Sequence, residues 1–410
     1  MRVLFITNTF PPAYTGGAEV ANYHTVRGLI RRGVTCELLF VNARMPRTVE
    51  GWYELDRIPV HRFDFFTRRR TAVGDVFDLR VYRAVRAELQ RFKPDIVHMQ
   101  NMSGATLAPY VACRAAGVPV VNTLHDLWLL CPNNMMLRTD GGLCDPHSGH
   151  AQCFRRYDFW GNVPRRLALF SAFTANVKRF ISPSQALIDR HVDAGYACDR
   201  FRLIRLGFEQ PAPQNVLHPG VQRIIAGAPQ HRIVTFAGGG IEIKGARVVL
   251  AALPQLREQI DRLQVVIAGG GETSILDGFK QFSPTTVVLG WVSFNEMLAL
   301  YAASELVLLP STCHENSPVV IYQSYQMGTP VAAAQIGGIP ELIEPDRTGA
   351  LFPPFDPVAL ADSVAAHLDR PPAERRQMRQ NCVQVARTQL TLDSHLDQHL
   401  AIYHEVLSAR

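Results

Sequence analysis

Short apolar runs alternate with segments of helical period along almost the whole chain, starting at its first residues. In the first half, Val3 to Ile6, Glu37 to Val41, Asp95 to His98 and Val118 to Val121 have the length and apolar content of strands. Between them, Ala18 to Arg31, Val76 to Arg91 and Gly104 to Ala116 repeat apolar residues at helical spacing. Lys93-Pro94 ends one of these helices, because proline disfavours the helical conformation of the residue before it. A second alternation runs through Arg232 to Ala237, Leu263 to Ala268, Thr286 to Leu289, Leu306 to Leu309 and Pro330 to Ala333, with helices starting at Lys244, Ser293 and Ser317. From Pro357 onward the pattern is helical only. Strands alternating with helices predict an α/β protein built on parallel sheets.

Between the two alternations, residues 207–228 carry Pro211, Pro213 and Pro219 with Gly207, Gly220 and Gly227, and show no clear period. A linker is expected there. Two Rossmann-like domains follow, over 1–206 and 229–391, facing each other across a cleft, with a C-terminal helix over about 392–410 crossing back onto the first. Ligands of such sheets bind beyond the carboxyl ends of the strands, on glycine turns and helix N-termini, so the loops after strands are where chemistry is sought.

Composition narrows the class. The chain has 410 residues, 47% of them hydrophobic and 19% charged, as in a soluble globular protein with a large core. No uninterrupted apolar stretch reaches about 18 residues, so no membrane span is expected. Met1 to Ile6 reads as a first strand rather than a secretory signal, and the eight cysteines are then expected as reduced thiols in the cytoplasm. The net charge of +6 includes Arg68-Arg69-Arg70, Arg155-Arg156 and Arg165-Arg166. These fit solvated loops and helix ends, or a peripheral contact with anionic phosphates of a membrane or a lipid-linked acceptor. No aromatic-interleaved basic repeat or nucleic-acid module accompanies them, so no nucleic-acid partner is expected.

Five loops carry unusual chemistry. In Thr9 to Glu19, Gly16-Gly17 removes side chains where backbone could approach a phosphate, although a plain tight turn explains the glycines too. In Thr123 to Pro132, His125 follows a strand and could donate to a sugar hydroxyl or be merely structural, and Asp126 could orient the loop. In Phe236 to Gly245, three glycines lead to Lys244 at a helix start, where the dipole repels a cation unless an anion is bound between them. In Pro310 to Gln323, Asn316, Ser317 and Pro318 signal a helix start, with Glu315 just ahead of it and Gln323 two turns along. A Glu can accept from two sugar hydroxyls, and the exposed amides can hold a leaving phosphate. The fifth, Gln335 to Leu342, is expected to shape the site rather than touch substrate.

Together these loops resemble the retaining GT-B glycosyltransferases of family four, which include glycogen and sucrose synthases and phosphatidylinositol mannosyltransferases. The resemblance covers essentially the whole chain. It rests on Ile181-Ser-Pro-Ser184, Lys244-Gly245, Gly290-Trp-Val-Ser293 with Glu296, Glu315-Asn-Ser-Pro318, Gly328-Thr-Pro330 and Gly337-Gly-Ile-Pro-Glu341. It implies a hexosyltransferase-like enzyme that moves a sugar from a nucleoside-diphosphate sugar to the hydroxyl of a small-molecule, saccharide or lipid-linked acceptor. Glu315 is then expected to hold donor-sugar hydroxyls, with backbone from Asn316 through Ser317 and Pro318 to Val319 meeting sugar and phosphate. Lys244 would stabilise the departing diphosphate, Gly16-Gly17 would close over it, and His125 would contact the sugar. The nucleobase would lie by the backbone of Trp291 and Val292.

Two positions depart from the family pattern. Gly239 stands where Arg is common, and Gln323 replaces the second carboxylate of the Glu-x7-Glu motif, usually placed on the ribose. One positive and one negative charge are lost together, which suggests a retuned nucleotide pocket. No Asp-x-Asp motif follows a strand, in keeping with Lys244 and helix N-termini serving in place of a catalytic metal. Cys131, Cys144, His147, His150 and Cys153 could surround a structural zinc, although their spacing matches no standard finger. The competing classes are a non-catalytic GT-B homologue that binds a sugar nucleotide or partner, and a GT-B epimerase or phosphorylase.

Overall fold

The computed structural model describes residues 1–13, 16–67, 76–138, 140–144, 163–209 and 218–409. They form two units, Met1–Phe208 with Leu392–Arg410, and Glu209–Thr391.

The first unit is built on eight strands: β1 (Arg2–Thr7), β2 (Thr35–Met45), β3 (Val49–Leu55), β4 (Ile58–Phe66), β5 (Ile96–Met99), β6 (Val120–Thr123), β7 (Val177–Ser182) and β8 (Phe201–Leu203). Their order in the sheet is β3-β4-β2-β1-β5-β6-β7-β8. Every neighbouring pair is parallel except β3 with β4. Strand period two decides which residues face which layer. Val3 and Phe5 pack with Val26 and Leu29 of the helix Gly17–Arg31 and with Leu396, Ile402 and Tyr403 of the helix Leu392–Ser408. Leu4 and Ile6 face the other way, onto Val81, Val85 and Leu89 of Leu79–Phe92 and Tyr110 of Ala108–Ala116. The terminal helix is also tied by Thr25 Oγ1 to His395 Nε2 at 2.9 Å and by Arg32 to Asp393 at 2.7 Å.

The hairpin β3–β4 does not appear in the apolar pattern, because β3 is half exposed and carries polar residues at alternate positions. Its turn has positive φ at both Asp56 and Arg57, the backbone that a tight hairpin requires. The helix expected from Val76 starts at Leu79, where the Asp78 carboxylate caps Arg80 N at 2.8 Å. That expected from Gly104 starts at Ala108.

The second unit holds β9 (Arg232–Phe236), β10 (Leu263–Ala268), β11 (Thr286–Gly290), β12 (Leu306–Leu309), β13 (Val331–Ala334) and β14 (Gly349–Phe352), all parallel, in the order β11-β10-β9-β12-β13-β14. Within the stretch expected as a linker, Pro219–Gly227 forms a helix instead. His218 caps Gly220 N, Pro219 occupies the first turn, and Val221 and Ile224 bury against Val266 and Leu300. Residues 210–217 lie outside the described residues.

Arg68-Arg69-Arg70 and Arg155-Arg156 also lie outside the described residues. Arg166 corrects the expectation of a solvated or anion-seeking pair at 165–166: it is buried, with its guanidinium 3.8 Å from the Phe170 ring centroid and donating to the Leu129 and Trp128 carbonyls. Of the cysteine–histidine group, Cys131 and Cys144 are buried, while His147, His150 and Cys153 lie outside the described residues. Among the described residues no three His, Cys, Asp or Glu side chains are grouped to hold a metal, and no helix is long and apolar enough to cross a membrane.

Candidate functional site

In the second sheet the chain runs outward from β9 through β10 to β11, then returns to β12 and continues the other way. The reversal makes β9 and β12 neighbours and opens a crevice beyond their carboxyl ends, the place where open α/β sheets bind ligands. From β9 come Gly238, Gly239 and Gly240, a short turn at Glu242–Lys244, then Gly245 and the helix Ala246–Gln259. Lys244 therefore sits in a tight turn ahead of the helix rather than in its first turn. From β12 come Pro310 to Ser317 and the helix Val319–Gln326.

Backbone contact locks the two loops together. Thr312 N donates to Ile243 O at 3.0 Å. Gly245 has φ +84, and a Cβ there would lie 1.9 Å from Pro310 O, so only glycine permits the approach. The result is that Lys244 Nζ donates to Glu315 Oε1 at 2.6 Å, and Ser311 Oγ donates to the same oxygen at 2.9 Å. Burial pulls the Lys244 pKa down, but the Glu315 carboxylate more than offsets this and holds it above its ordinary value, so the ammonium stays charged.

The fifth loop fixes Glu315 from behind. Gly338 N donates to Glu315 O at 2.8 Å, and Gly337, with φ +59, packs so closely that a Cβ would lie 2.2 Å from that carbonyl. Neither Ser311 nor these contacts was evident in the sequence; the serine carries no motif by itself.

Gly239 has a different reason to be glycine from the one its charge suggested. Its φ is +53, its N–H donates to Ala268 O, and a Cβ would lie 2.2 Å from Gly270 O. Gly240 is bridged to Gly271 in the same way, so two glycine turns interlock backbone to backbone. On this backbone the position has no room for arginine, so charge alone does not account for its glycine.

Pro318 is the N-cap of the helix Val319–Gln326, which has no side-chain cap on its first amides. Glu315 lies outside the helix, so it does not share a helical face with Gln323. Gln323 is buried, and Ser317 Oγ pairs with Tyr322 OH at 2.6 Å. At the end of β11, Trp291 is 78% exposed while Val292 packs on the cluster around Val221 and Ile224. Glu296 accepts from Ser293 N, Ser293 Oγ and His218 N, fixing this loop to the start of the helix Pro219–Gly227.

In the first unit, Glu19 reaches back to Gly16 N at 2.9 Å and accepts from Thr9 Oγ1 at 2.5 Å, while Gly17 opens the helix Gly17–Arg31. His125 stands two residues beyond β6, with Nε2 2.7 Å from Gln100 Oε1. Burial pushes its pKa down to about 4, against the Glu19 carboxylate, so the ring is neutral. Asp126 accepts from Trp128 N at 2.8 Å and orients the loop. Burial raises its pKa to about 6, with the Trp128 amide and the Arg166 guanidinium opposing. Gln100, which holds this loop, gave no signal in the sequence, and Arg166 signalled only as part of a basic pair.

Known proteins agree with this architecture. The family description "Glycosyltransferase Family 4" matches residues 15–209, and "Glycosyl transferases group 1" matches residues 231–370. The alpha-D-kanosaminyltransferase of Streptomyces kanamyceticus is 29% identical over 317 residues, covering 75% of this chain and 76% of that protein. The D-inositol 3-phosphate glycosyltransferase of Corynebacterium glutamicum is 32% identical over 173 residues, 40% of this chain and 41% of that enzyme's length. Anabaena HepE, solved in complex with UDP-glucose, superposes with a TM-score of 0.71 at 19% identity, covering 100% of both chains. Two glycosyltransferase matches, one on each α/β unit, and a shared two-unit fold make the chain a glycosyltransferase of the GT-B fold, similar to the family-four enzymes.

Proposed function

We propose that the enzyme transfers a sugar from a nucleoside-diphosphate sugar to an acceptor hydroxyl with retention of anomeric configuration and without a catalytic metal. The observation that carries this reading is the 2.6 Å contact of Lys244 with Glu315 at the switch point of the second sheet. A nucleotide sugar offers each partner a replacement, diphosphate oxygens for the ammonium and sugar hydroxyls for the carboxylate. The complex of HepE with UDP-glucose supports this donor class.

Chemically, the bond between the anomeric carbon and the diphosphate breaks through an oxocarbenium-like transition state. The acceptor attacks from the same face, and a leaving-group oxygen takes its proton. Charge then develops on the diphosphate, where Lys244 and backbone groups between Asn316 and Val319 stabilise it. Glu315, held through Oε1 by Ser311, accepts from sugar hydroxyls. His125 contacts the sugar, Gly16-Gly17 approaches the phosphates, Trp291 and Val292 flank the base, and Gln323 faces the ribose. A cytoplasmic location, peripheral contact with anionic lipid through Arg68-Arg69-Arg70, and a structural zinc on Cys131, Cys144, His147, His150 and Cys153 complete the reading. The acceptor is a small molecule, a saccharide or a lipid-linked sugar.

A panel of nucleotide sugars, assayed for nucleoside-diphosphate release by wild type, Lys244→Ala and Glu315→Ala, tests the proposal. Release from one or a few donors, lost in both variants, is expected. Binding of a nucleotide sugar with no turnover under any condition contradicts it and favours the non-catalytic homologue that Gly239 and Gln323 raise.

A further inference from the structure

Gln100 directly follows β5 and is 4% exposed. Its backbone is held from two strands, β1 and β6. Gln100 N donates to Ile6 O at 2.9 Å, and Gln100 O accepts from Asn122 Nδ2 at 3.4 Å. Asn122 also donates to Met99 O at 3.1 Å and Thr123 O at 2.9 Å, and its Oδ1 accepts from Tyr110 OH at 2.6 Å. Asn122 and Tyr110 are both fully enclosed, so Gln100 has little freedom to move. From this seat its side chain reaches across 25 positions to place Oε1 2.7 Å from His125 Nε2.

A ring nitrogen that faces a carbonyl oxygen at this distance carries hydrogen. A neutral imidazole has only one N–H, so the other nitrogen keeps its lone pair. No partner for His125 Nδ1 is found among the described residues. We infer that Gln100 is a positioning residue: it fixes His125 as the Nε2–H tautomer and leaves Nδ1 as a hydrogen-bond acceptor. His125 then accepts a hydrogen bond from a sugar hydroxyl rather than donating one to it, the reverse of what its place after a strand suggested. The sugar contact rests on the proposed function; the tautomer does not.

The electrostatic surroundings preserve the neutral ring. The Glu19 carboxylate draws a proton toward it, but burial is the larger effect. His98 of β5 and His395 and His399 of the C-terminal helix face the same region, and burial holds each of them neutral as well. Asp126, the next residue, has its carboxylate engaged with Trp128 N.

The direct test is nitrogen NMR of histidine-labelled protein without donor, with His125 assigned by difference against His125→Asn. At pH 7 the expected signature is a protonated Nε2 and an unprotonated Nδ1. A protonated Nδ1, or a charged ring, overturns the inference. Gln100→Glu adds a second readout: a carboxylate beside the ring should raise its pKa by about one unit or more. The acidic edge of donor turnover should move up accordingly, with activity recovered at higher pH. An unchanged pH profile in folded Gln100→Glu also overturns it. The spectrum needs no turnover, so an enzyme inactive on every nucleotide sugar would defeat the proposed function while leaving the tautomer assignment to stand or fall alone.

Discussion

Lys244 and Glu315 lie 71 positions apart and meet at 2.6 Å, because two glycine positions, 245 and 337, let backbone segments approach more closely than any side chain would allow. Neither the lysine turn nor the carboxylate loop has a fixed position by itself. The strand order brings them together, and the glycines set the distance.

Lys244→Ala should therefore lower kcat far more than it lowers stability. Removing one charge-stabilising group from a leaving-group site costs about 10²–10³ in rate. Steady-state kinetics beside a melting curve checks this; wild-type turnover in folded Lys244→Ala removes the assigned role.

Gly337→Ala acts on Glu315 without touching any donor. The substitution combines a left-handed backbone, φ +59, with a Cβ 2.2 Å from Glu315 O. A cost on the order of 1–3 kcal/mol is expected, together with a loss of activity larger than the loss of folded protein. Equal activity per folded molecule would show that this turn does not position the carboxylate. Gly239→Arg should fare no better, since Gly270 O occupies the space a side chain needs.

Gln323→Glu should change nucleotide affinity or preference. A carboxylate only accepts hydrogen bonds and suits a ribose diol, whereas an amide offers one acceptor and two donors. Because Gly239 cannot be restored to arginine, the double variant should show no rescue over Gln323→Glu alone. Donor affinities for the wild type, both singles and the double decide it; a double variant that binds better than Gln323→Glu would revive the charge-exchange view.

Acid should destabilise the first unit well above the carboxylate range. Burial holds His98 at about 3 and His125, His191 and His395 at about 4, with His399 far below its ordinary value. Free histidine titrates near about 6.5. Between those limits the unfolded chain binds more protons, so stability is full above about pH 7 and declines as pH falls, by up to about 1.4 kcal/mol per pH unit for each ring. Urea midpoints at several pH values test this. Midpoints that stay constant from pH 7.5 to 5 would mean the rings take up protons as readily in the folded protein as in the unfolded chain.

Strands with strong apolar runs, such as Val3 to Ile6 and Leu306 to Leu309, were legible because both faces of a parallel sheet are buried. The hairpin β3–β4 was not, since its outer strand alternates exposed and partly buried positions and so carries no continuous run. Lys244, Glu315 and His125 were legible as chemistry after strands. Gln100 and Ser311 were not, because a neutral polar residue announces nothing until the fold shows what it holds, and Arg166 read as part of a basic surface pair although it is buried. Gly239 was legible as a departure, yet its cause, a second glycine turn thirty residues on in β10's loop, belongs to tertiary packing.

The central claim is retaining transfer from a nucleotide sugar, and the anomeric configuration of the first-formed product tests it most directly. Proton NMR of sugar released from the accepted donor, recorded before mutarotation and in the presence of EDTA, should show the donor's own configuration. The inverted anomer, or turnover that vanishes with the chelator and returns with added metal, would contradict the account.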